Sequence, residues 1–276
     1  MRRVSTTIVA LALSLFIAPA SHATYLTDIG FDALQVPLGS ATPTGAGVRV
    51  AQVESPINDV SGGANPIFMP NPGVPEFAGK TITPVGGNAS GAYSDHATSV
   101  GALFYGNITS AAGGITQIDS YHASSWISSL YNPVSGAATT SPDRVTNHSW
   151  VGGGTTAAGD STILRLVDRQ VALNESIHVV GMANEAGNSP LLGSAYNVIA
   201  VGRTDGVHQQ GSVAVPGDTL YGGDRTRPDL VAPQPLTSLA APVVSAAAAL
   251  LVQTGHEGAL NLSNGSTYIT GIGTVY

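Results

Sequence analysis

The sequence predicts an α/β fold of three layers, αβα, in which a mostly parallel β-sheet lies between two layers of helices. Short apolar runs rich in β-branched residues recur along the chain without polar alternation, which is typical of strands buried on both faces. Helical patterns lie between these runs, and alternation of strand and helix favours a parallel sheet. The 276 residues are 43% hydrophobic, which is enough for the core of one domain.

The predicted strands are dominated by Val, Ile and Ala, and they span residues 48–53, 115–119, 145–149, 177–182 and 198–202. The predicted helices span residues 95–105, 123–130, 160–173 and 238–254. The helix over 160–173 is the clearest, because apolar side chains such as Leu164 and Val167 form a stripe opposite Arg165 and Asp168. The helix over 238–254 is rich in Ala, and its Pro242 is expected in the first turn, where a missing N–H costs little.

The N-terminus has the pattern of a secretory signal peptide over residues 1–23. Arg2 and Arg3 precede an apolar stretch, and small residues stand at the expected cleavage site near Ala23. We therefore expect a secreted or periplasmic protein, with an extended lead-in over 24–45 and one domain over 46–276. The chain contains no cysteine, so disulfides and thiolate metal sites are excluded.

Composition and charge also limit the classes of molecule that the protein is expected to bind. The net charge is −7 and the ten Lys and Arg residues are scattered, which argues against a nucleic-acid partner. After the signal peptide, no stretch reaches the roughly 18 apolar residues of a membrane span; residues 239–252 come nearest and contain Pro242. No Asp-rich loop has the spacing of a calcium site, so no metal and no cofactor are predicted. The sequence does not indicate an oligomeric state.

Three side chains could form a catalytic set. Glu54 ends a buried strand, His96 begins a helix of small residues, and Ser238 begins the Ala-rich helix. Each has an ordinary structural explanation when taken alone, since serine is a common N-cap and histidine often begins a helix. Together they supply a hydroxyl nucleophile, an imidazole base and a carboxylate that orients the imidazole.

Five segments between about residues 46 and 254 resemble, in the same order, those of the subtilisin-like serine peptidases. The segment "RPDLVAPQPLTSLAAPVVSAAAALL" resembles the family's nucleophile segment, and this is the most specific of the five. The segments "DHATSVGALFYG" and "VRVAQVESPI" resemble its histidine and acid segments. The segments "VTNHSWVGG" and "HVVGMANEAGNSPLLGSAYNVIAVGRTD" resemble its substrate-pairing strand and its oxyanion loop.

The resemblance implies an endopeptidase that acts on polypeptides, with Ser238 as nucleophile, His96 as base and then acid, and Glu54 orienting His96. It implies that Asn184 donates to the oxyanion, with Asn188 as the alternative in the same loop. It also implies that an extended substrate pairs with four consecutive residues by strand addition: Ser149, Trp150, Val151 and Gly152.

The chain departs from the family's pattern at several positions. Glu54 stands where the family has aspartate, and Pro56, Ala97 and Leu236 each stand where it has glycine. Leu236 is expected to shape or block the site for the residues after the scissile bond. Segment 24–46 is too short for the folding propeptide of many members, and the chain ends at residue 276, where the family continues with further helices. We therefore expect a domain shortened at its C-terminus.

Two alternatives remain open at this point. The related serine-carboxyl peptidases use Ser, Glu and Asp, but they place glutamate where this sequence has His96. The other alternative is a catalytically inactive peptidase fold that serves as an extracellular binding or structural module.

Overall fold

The computed structural model describes residues 23–57, 66–86, 91–130, 140–152, 156–185, 191–211, 218–221, 225–257, 267–269 and 273–275. The proposed signal peptide over 1–23 therefore lies almost wholly outside the described residues. A seven-stranded sheet forms the centre of the domain, and every pairing within it is parallel. Its strands are β1 (Arg49–Glu54), β2 (Thr81–Val85), β3 (Gln117–His122), β4 (Val145–His148), β5 (Ile177–Gly181), β6 (Val198–Arg203) and β7 (Leu230–Ala232).

The strand order is β2-β3-β1-β4-β5-β6-β7. From β1 the chain runs to β2 at one edge and returns to β3 between β2 and β1, and from β4 it builds outward on the other side to β7. The order therefore reverses between β1 and β4, and the carboxyl ends of strands at such a reversal form a crevice in parallel sheets. Glu54 ends β1 and Ser149 directly follows β4, so both residues lie at this crevice.

Helices cover both faces of the sheet, as the sequence predicts. The described helices are α1 (Ala23–Asp28), α2 (Phe31–Leu38), α3 (Asp95–Tyr105), α4 (Ala123–Ser129), α5 (Ala157–Asn174) and α6 (Thr237–Glu257). On one face, Val50 and Val145 share a core with Phe104 of α3 and Ala249 of α6. On the other face, Val53 shares a core with Trp126 of α4 and with Leu164 and Val167 of α5. These two cores confirm the three-layer αβα architecture.

The sequence did not predict the two edge strands, β2 and β7. Strand β2 contains Pro84 and has no fully buried residue, and a strand with proline is tolerated at an edge because it needs hydrogen bonds on one side only. Strand β7 has three residues, and Leu230 and Val231 are exposed. Strand β2 is interrupted by proline and β7 is only three residues long, so neither was recognised from the sequence.

The extended lead-in predicted over 24–45 is wrong for its first part, because residues 23–38 form helices α1 and α2. The segment contains about as large a share of apolar residues as the rest of the chain, and two of its aromatic side chains anchor it. Tyr25 is buried and its hydroxyl donates to the Thr109 carbonyl at 2.5 Å, and Phe31 packs into the core. Tertiary packing of these two side chains stabilises helices whose own propensity is low. The chain becomes extended only towards Thr42, after the short 3₁₀ turn Gly39–Ala41.

Helix α6 runs through the middle of the domain and packs against α3 and strands β4 to β7. Among the described residues it is the one helix long and apolar enough to cross a membrane by length and composition, and 56% of its most apolar window is buried in the domain. After α6, the described part of the tail is a pair of antiparallel strands, β8 (Thr267–Ile269) and β9 (Gly273–Val275).

Candidate active site

A cavity of about 360 Å³ lies at the carboxyl ends of β1, β4 and β5. The polar residues that line it and were predicted from the sequence are Glu54, His96, Ser149, Asn184 and Ser238. Trp150 and Val151 also line it. The structure therefore brings together seven of the eight predicted site residues. Gly152 does not line the cavity, and the other oxyanion candidate, Asn188, lies outside the described residues.

The acid and the base of the predicted triad are hydrogen-bonded. His96 Nδ1 lies 2.9 Å from Glu54 Oε2. Glu54 is 1% exposed, whereas the His96 side chain is 40% exposed, so the outer edge of the imidazole faces the cavity. His96 is the second residue of α3, and the side chain of Ser94 caps this helix by accepting from the Ala97 N–H. The glutamate thus holds the imidazole by one nitrogen and leaves the other free to act.

Gln52 fixes the second oxygen of Glu54, a role that was not predicted from the sequence. Its Nε2 donates to Glu54 Oε1 at 2.8 Å and to the Ala97 carbonyl at 2.9 Å, while its Oε1 accepts from the Tyr105 hydroxyl. Gln52 and Glu54 share one face of β1 because they are two residues apart. The sequence contains one signal for this role, which is a polar residue inside a predicted buried strand, two positions before the glutamate. Helix α3 therefore contacts β1 at both ends, through His96 and through Tyr105.

Burial and hydrogen bonding act in opposite directions on the acid. Burial raises the pKa of Glu54, and the hydrogen bonds from His96 and Gln52 counteract this. The hydrogen bond to Glu54 is the main cause that raises the pKa of His96 above 6.5, against the effect of its partial burial. Glu54 thus stabilises the protonated form of His96. An imidazole that acts as a general base needs this stabilisation after it has accepted a proton.

Ser238 is half-buried at the amino end of α6, and its carbonyl has an unusual partner. Pro242 was expected in the first turn of this helix. In the structure α6 begins at Thr237, so Pro242 lies in the second turn. Because proline has no N–H, the Ser238 carbonyl lacks its helical donor. The Ser149 hydroxyl donates to this carbonyl at 2.7 Å and in turn accepts from Asn147 Nδ2 at 2.9 Å. This contact joins the amino end of α6 to the end of β4.

The part of the chain that the structure describes has no hydrogen bond between His96 and the Ser238 hydroxyl, although both line the cavity. Catalytic hydrogen bonds are often long without substrate and tighten when it binds. As the second residue of α6, Ser238 also has a backbone N–H without a helical acceptor.

Asn184 lies beside the start of α6 with its amide group in a defined orientation. Its Oδ1 accepts from the Thr237 N–H at 2.8 Å and from the Thr237 hydroxyl at 3.0 Å. Because both contacts come from donors, the oxygen of the amide faces Thr237 and its NH₂ group is the end left for the cavity. Gly181 permits this arrangement, since a Cβ there would approach the Thr237 carbonyl to 3.2 Å.

Residues Ser149 to Gly152 continue from β4 along the cavity. Gly152 accepts from the Leu191 N–H at 3.0 Å, so its carbonyl is used within the chain. Trp150 packs on the α4 and α5 side of the domain while lining the cavity. Three of the four residues proposed for substrate pairing thus face the space that a substrate would enter.

The residues that replace family glycines lie in different surroundings. Pro56 lines the cavity and Ala97 is fully buried beneath His96. Leu236 is 40% exposed and is not among the residues that line the cavity. Within the described ranges, no group of three His, Asp or Glu side chains could hold a metal ion.

Solved structures with the same fold include the patellamide maturation protease PatG. It matches with a TM-score of 0.51 and 14% identity, covering 83% of this chain and 82% of that one. The chain has the subtilisin-like αβα fold. Two further matches have lower TM-scores. A cold adapted subtilisin-like serine proteinase has a TM-score of 0.45 and 20% identity, covering 81% of this chain and 79% of that chain. A protease from Pseudoalteromonas arctica has a TM-score of 0.48 and 19% identity, covering 81% of this chain and 82% of that chain.

No protein-family model matches the sequence, and no curated protein matches it. At this level of identity, the structural likeness supports the fold that the sequence motifs predicted. The chemistry of the site depends on its own geometry.

Proposed function

We propose that this protein is a secreted or periplasmic serine endopeptidase with a Glu54, His96 and Ser238 triad. The observation that carries the proposal is the 2.9 Å hydrogen bond between buried Glu54 and His96, whose exposed edge shares one cavity with Ser238 and Asn184. An acid, an imidazole and a hydroxyl that come from three distant segments and meet at a sheet crevice are the arrangement required for acyl transfer.

In the first half of the reaction, Ser238 Oγ attacks the carbonyl carbon of the scissile peptide bond. His96 Nε2 accepts the hydroxyl proton, while His96 Nδ1 keeps its proton and donates a hydrogen bond to Glu54 Oε2. The protonated His96 then gives its proton to the leaving amine as the C–N bond breaks. The products of this half are the free amine and an acyl ester on Ser238.

In the second half, a water molecule replaces the amine. His96 takes a proton from the water, the resulting hydroxide attacks the ester, and His96 returns the proton to Ser238 Oγ. In both halves negative charge develops on the former carbonyl oxygen. The Asn184 NH₂ group and the Ser238 N–H are the donors available to stabilise it, and losing one such donor typically costs about 10² to 10³ in turnover.

The substrate is proposed to be an extended polypeptide that adds as a strand along Ser149 to Val151. Strand addition uses main-chain hydrogen bonds, so it supports cleavage within a chain with broad side-chain tolerance. Apart from Glu54 and His96, the described side chains that line the cavity are uncharged. The site therefore favours neutral side chains next to the scissile bond.

The test is hydrolysis of an unstructured protein substrate by the purified chain and by three variants. S238A and H96Q are expected to lower kcat/KM by at least about 10³-fold. S99A is the matched control, because Ser99 is an exposed serine of α3 whose hydroxyl donates within the helix to the Asp95 carbonyl. Folded wild-type protein without activity would instead support the inactive binding module.

A further inference from the structure

Two buried histidines lie behind Trp150, and the proposed reaction does not use them. His148 ends β4 and His178 lies on the neighbouring β5, and they are 0% and 3% exposed. In the sheet, His148 pairs with Val53, whereas Asn147 pairs with Gln52. Because neighbouring residues of a strand point to opposite faces, His148 lies on the face opposite Gln52 and Glu54. Neither histidine is among the described residues that line the cavity, but Trp150 lines it and contacts His148.

One hydrogen-bonded chain joins Trp150 to this pair. Trp150 Nε1 donates to His148 Nδ1 at 3.3 Å, His148 Nε2 lies 3.2 Å from His178 Nδ1, and His178 Nε2 lies 3.1 Å from Ser176 Oγ. The indole N–H can only donate, so His148 Nδ1 carries no proton. A neutral His148 then carries its proton on Nε2 and donates to His178, which donates to Ser176. Trp150 thus fixes the tautomers of both rings.

A proton added anywhere in this pair disrupts the contact with Trp150. If His148 takes it, the new proton is on Nδ1 and faces the indole N–H. If His178 takes it, His178 Nδ1 becomes a donor, and His148 can accept from it only by moving its own proton to Nδ1. In both cases two N–H groups face each other where Trp150 had an acceptor.

The surroundings keep the pair neutral near pH 7. Burial is the main cause that lowers the pKa of both rings; it brings the pKa of His178 to about 4, and neighbouring His178 lowers the pKa of His148 further. Trp126 of α4 contacts both rings, and Val53 of β1 is the neighbour of His148 in the sheet. Both belong to an apolar core that also contains Leu164 of α5. Of the charged side chains of α5, Arg165 pairs with Asp218 and Asp168 accepts from the Tyr221 hydroxyl. Neither these two nor Asp160 and Arg169 are among the described groups that shift the pKa of either ring. The charged cluster of Arg49, Asp119 and Asp143 lies at the amino ends of the strands.

We propose that His148 and His178 are positioning residues that hold the Trp150 indole as a wall of the substrate cleft and release it when the pair takes up one proton. The proposal rests on the proposed function in one respect only, which is that the cleft beside Trp150 binds substrate. It predicts a cleft that loosens in acid through a group that is not the catalytic base.

The structural arm of the test uses fluorescence and needs no activity. The chain has two tryptophans, so W126F leaves Trp150 as the single reporter. We expect its emission to change as pH falls, with a midpoint near the His178 pKa of about 4 and with unchanged far-UV circular dichroism. W126F/H148N is the matched control, because asparagine Oδ1 accepts from the indole in place of Nδ1 and does not titrate. The same transition in this control, or a transition that coincides with loss of secondary structure, would overturn the proposal.

Wild-type protein gives an independent reading if W126F does not fold. The assigned Trp150 indole N–H resonance is expected to shift with the same midpoint as the ring signals of His148 and His178. An indole signal that stays constant while the rings titrate contradicts the proposed coupling.

The activity arm separates this inference from the peptidase proposal. H148F keeps a ring but removes the acceptor, and we expect it to raise KM about fivefold with kcat largely kept, the loss typical of one hydrogen bond. H148N is expected to restore KM most of the way towards the wild-type value. A fall in kcat instead of a rise in KM would contradict a positioning role. If the chain proves not to be a peptidase, the fluorescence and resonance readings still decide whether the pair holds Trp150.

Discussion

Shortening the acid by one methylene, Glu54→Asp, tests whether this site is built for glutamate. In the structure the carboxylate of Glu54 contacts His96 Nδ1 at 2.9 Å and Gln52 Nε2 at 2.8 Å. One C–C bond withdraws the carboxylate by roughly 1.5 Å, so both distances would rise to more than about 4 Å, beyond hydrogen-bond range. Strand β1 cannot move forward to compensate, because it is paired on both sides, with β3 and β4.

We therefore expect Glu54→Asp to lower kcat/KM about 10²-fold, the cost of a displacement of this size in a catalytic group. Glu54→Gln keeps the length but removes the charge and introduces a donor, and it should cost about 10³- to 10⁴-fold. Its stability should change little, since burial disfavours the charge that is removed.

The assay is steady-state hydrolysis of one peptide substrate by the wild type and both variants, with thermal unfolding to confirm that each variant is folded. Glu54→Asp with wild-type turnover would refute the reasoning, because the position of the carboxylate would then not matter. Wild-type turnover in Glu54→Gln would remove Glu54 from the triad.

Three further measurements concern the buried or half-buried side chains of Gln52, His96 and His178. Gln52→Met leaves Glu54 Oε1 and the Tyr105 hydroxyl without their buried partner, so urea unfolding should report a loss of about 2–6 kcal/mol. Because the folded pKa of His96 is raised and the neutral ring is the base, kcat/KM should rise with pH through a value above 6.5 in a pH-rate profile, and Glu54→Gln should move this midpoint down. His178 takes up a proton near pH 6.5 in the unfolded chain, but only near its lowered pKa of about 4 in the folded chain. The free energy of unfolding should therefore fall by up to about 3 kcal/mol as pH falls from 6.5 to 4. Urea unfolding of His178→Gln at pH 7 and pH 4.5 should show a smaller loss than the wild type.

The sequence predicted the parts of the fold that are defined by local pattern. The five central strands were recognised from short proline-free segments rich in β-branched residues, and α3 and α5 have clear small-residue or amphipathic patterns. The edge strand β2 has no such pattern, since Pro84 and exposed positions are tolerated where only one neighbour is paired. Helices α1 and α2 depend on contacts of Tyr25 and Phe31 with distant residues, and these contacts leave no periodic signal.

The residues of the candidate site also include some that a local motif predicts and others that only tertiary contacts reveal. Glu54, His96 and Ser238 were predicted because each stands at the end of an element and within a recognisable motif. Gln52 and Tyr105 were missed because their role exists only through tertiary contact, one on β1 and the other nine residues after His96 on α3. The donation from Ser149 to the Ser238 carbonyl likewise depends on two segments that are 89 residues apart.

Reaction with a fluorophosphonate probe shows whether the Ser238 hydroxyl is an activated nucleophile. We expect one covalent adduct on the wild type, located on Ser238 by peptide mass spectrometry, absent from S238A and strongly reduced in H96Q. A folded wild-type protein that forms no adduct, or that forms one on a different serine, would contradict the proposed role of Ser238.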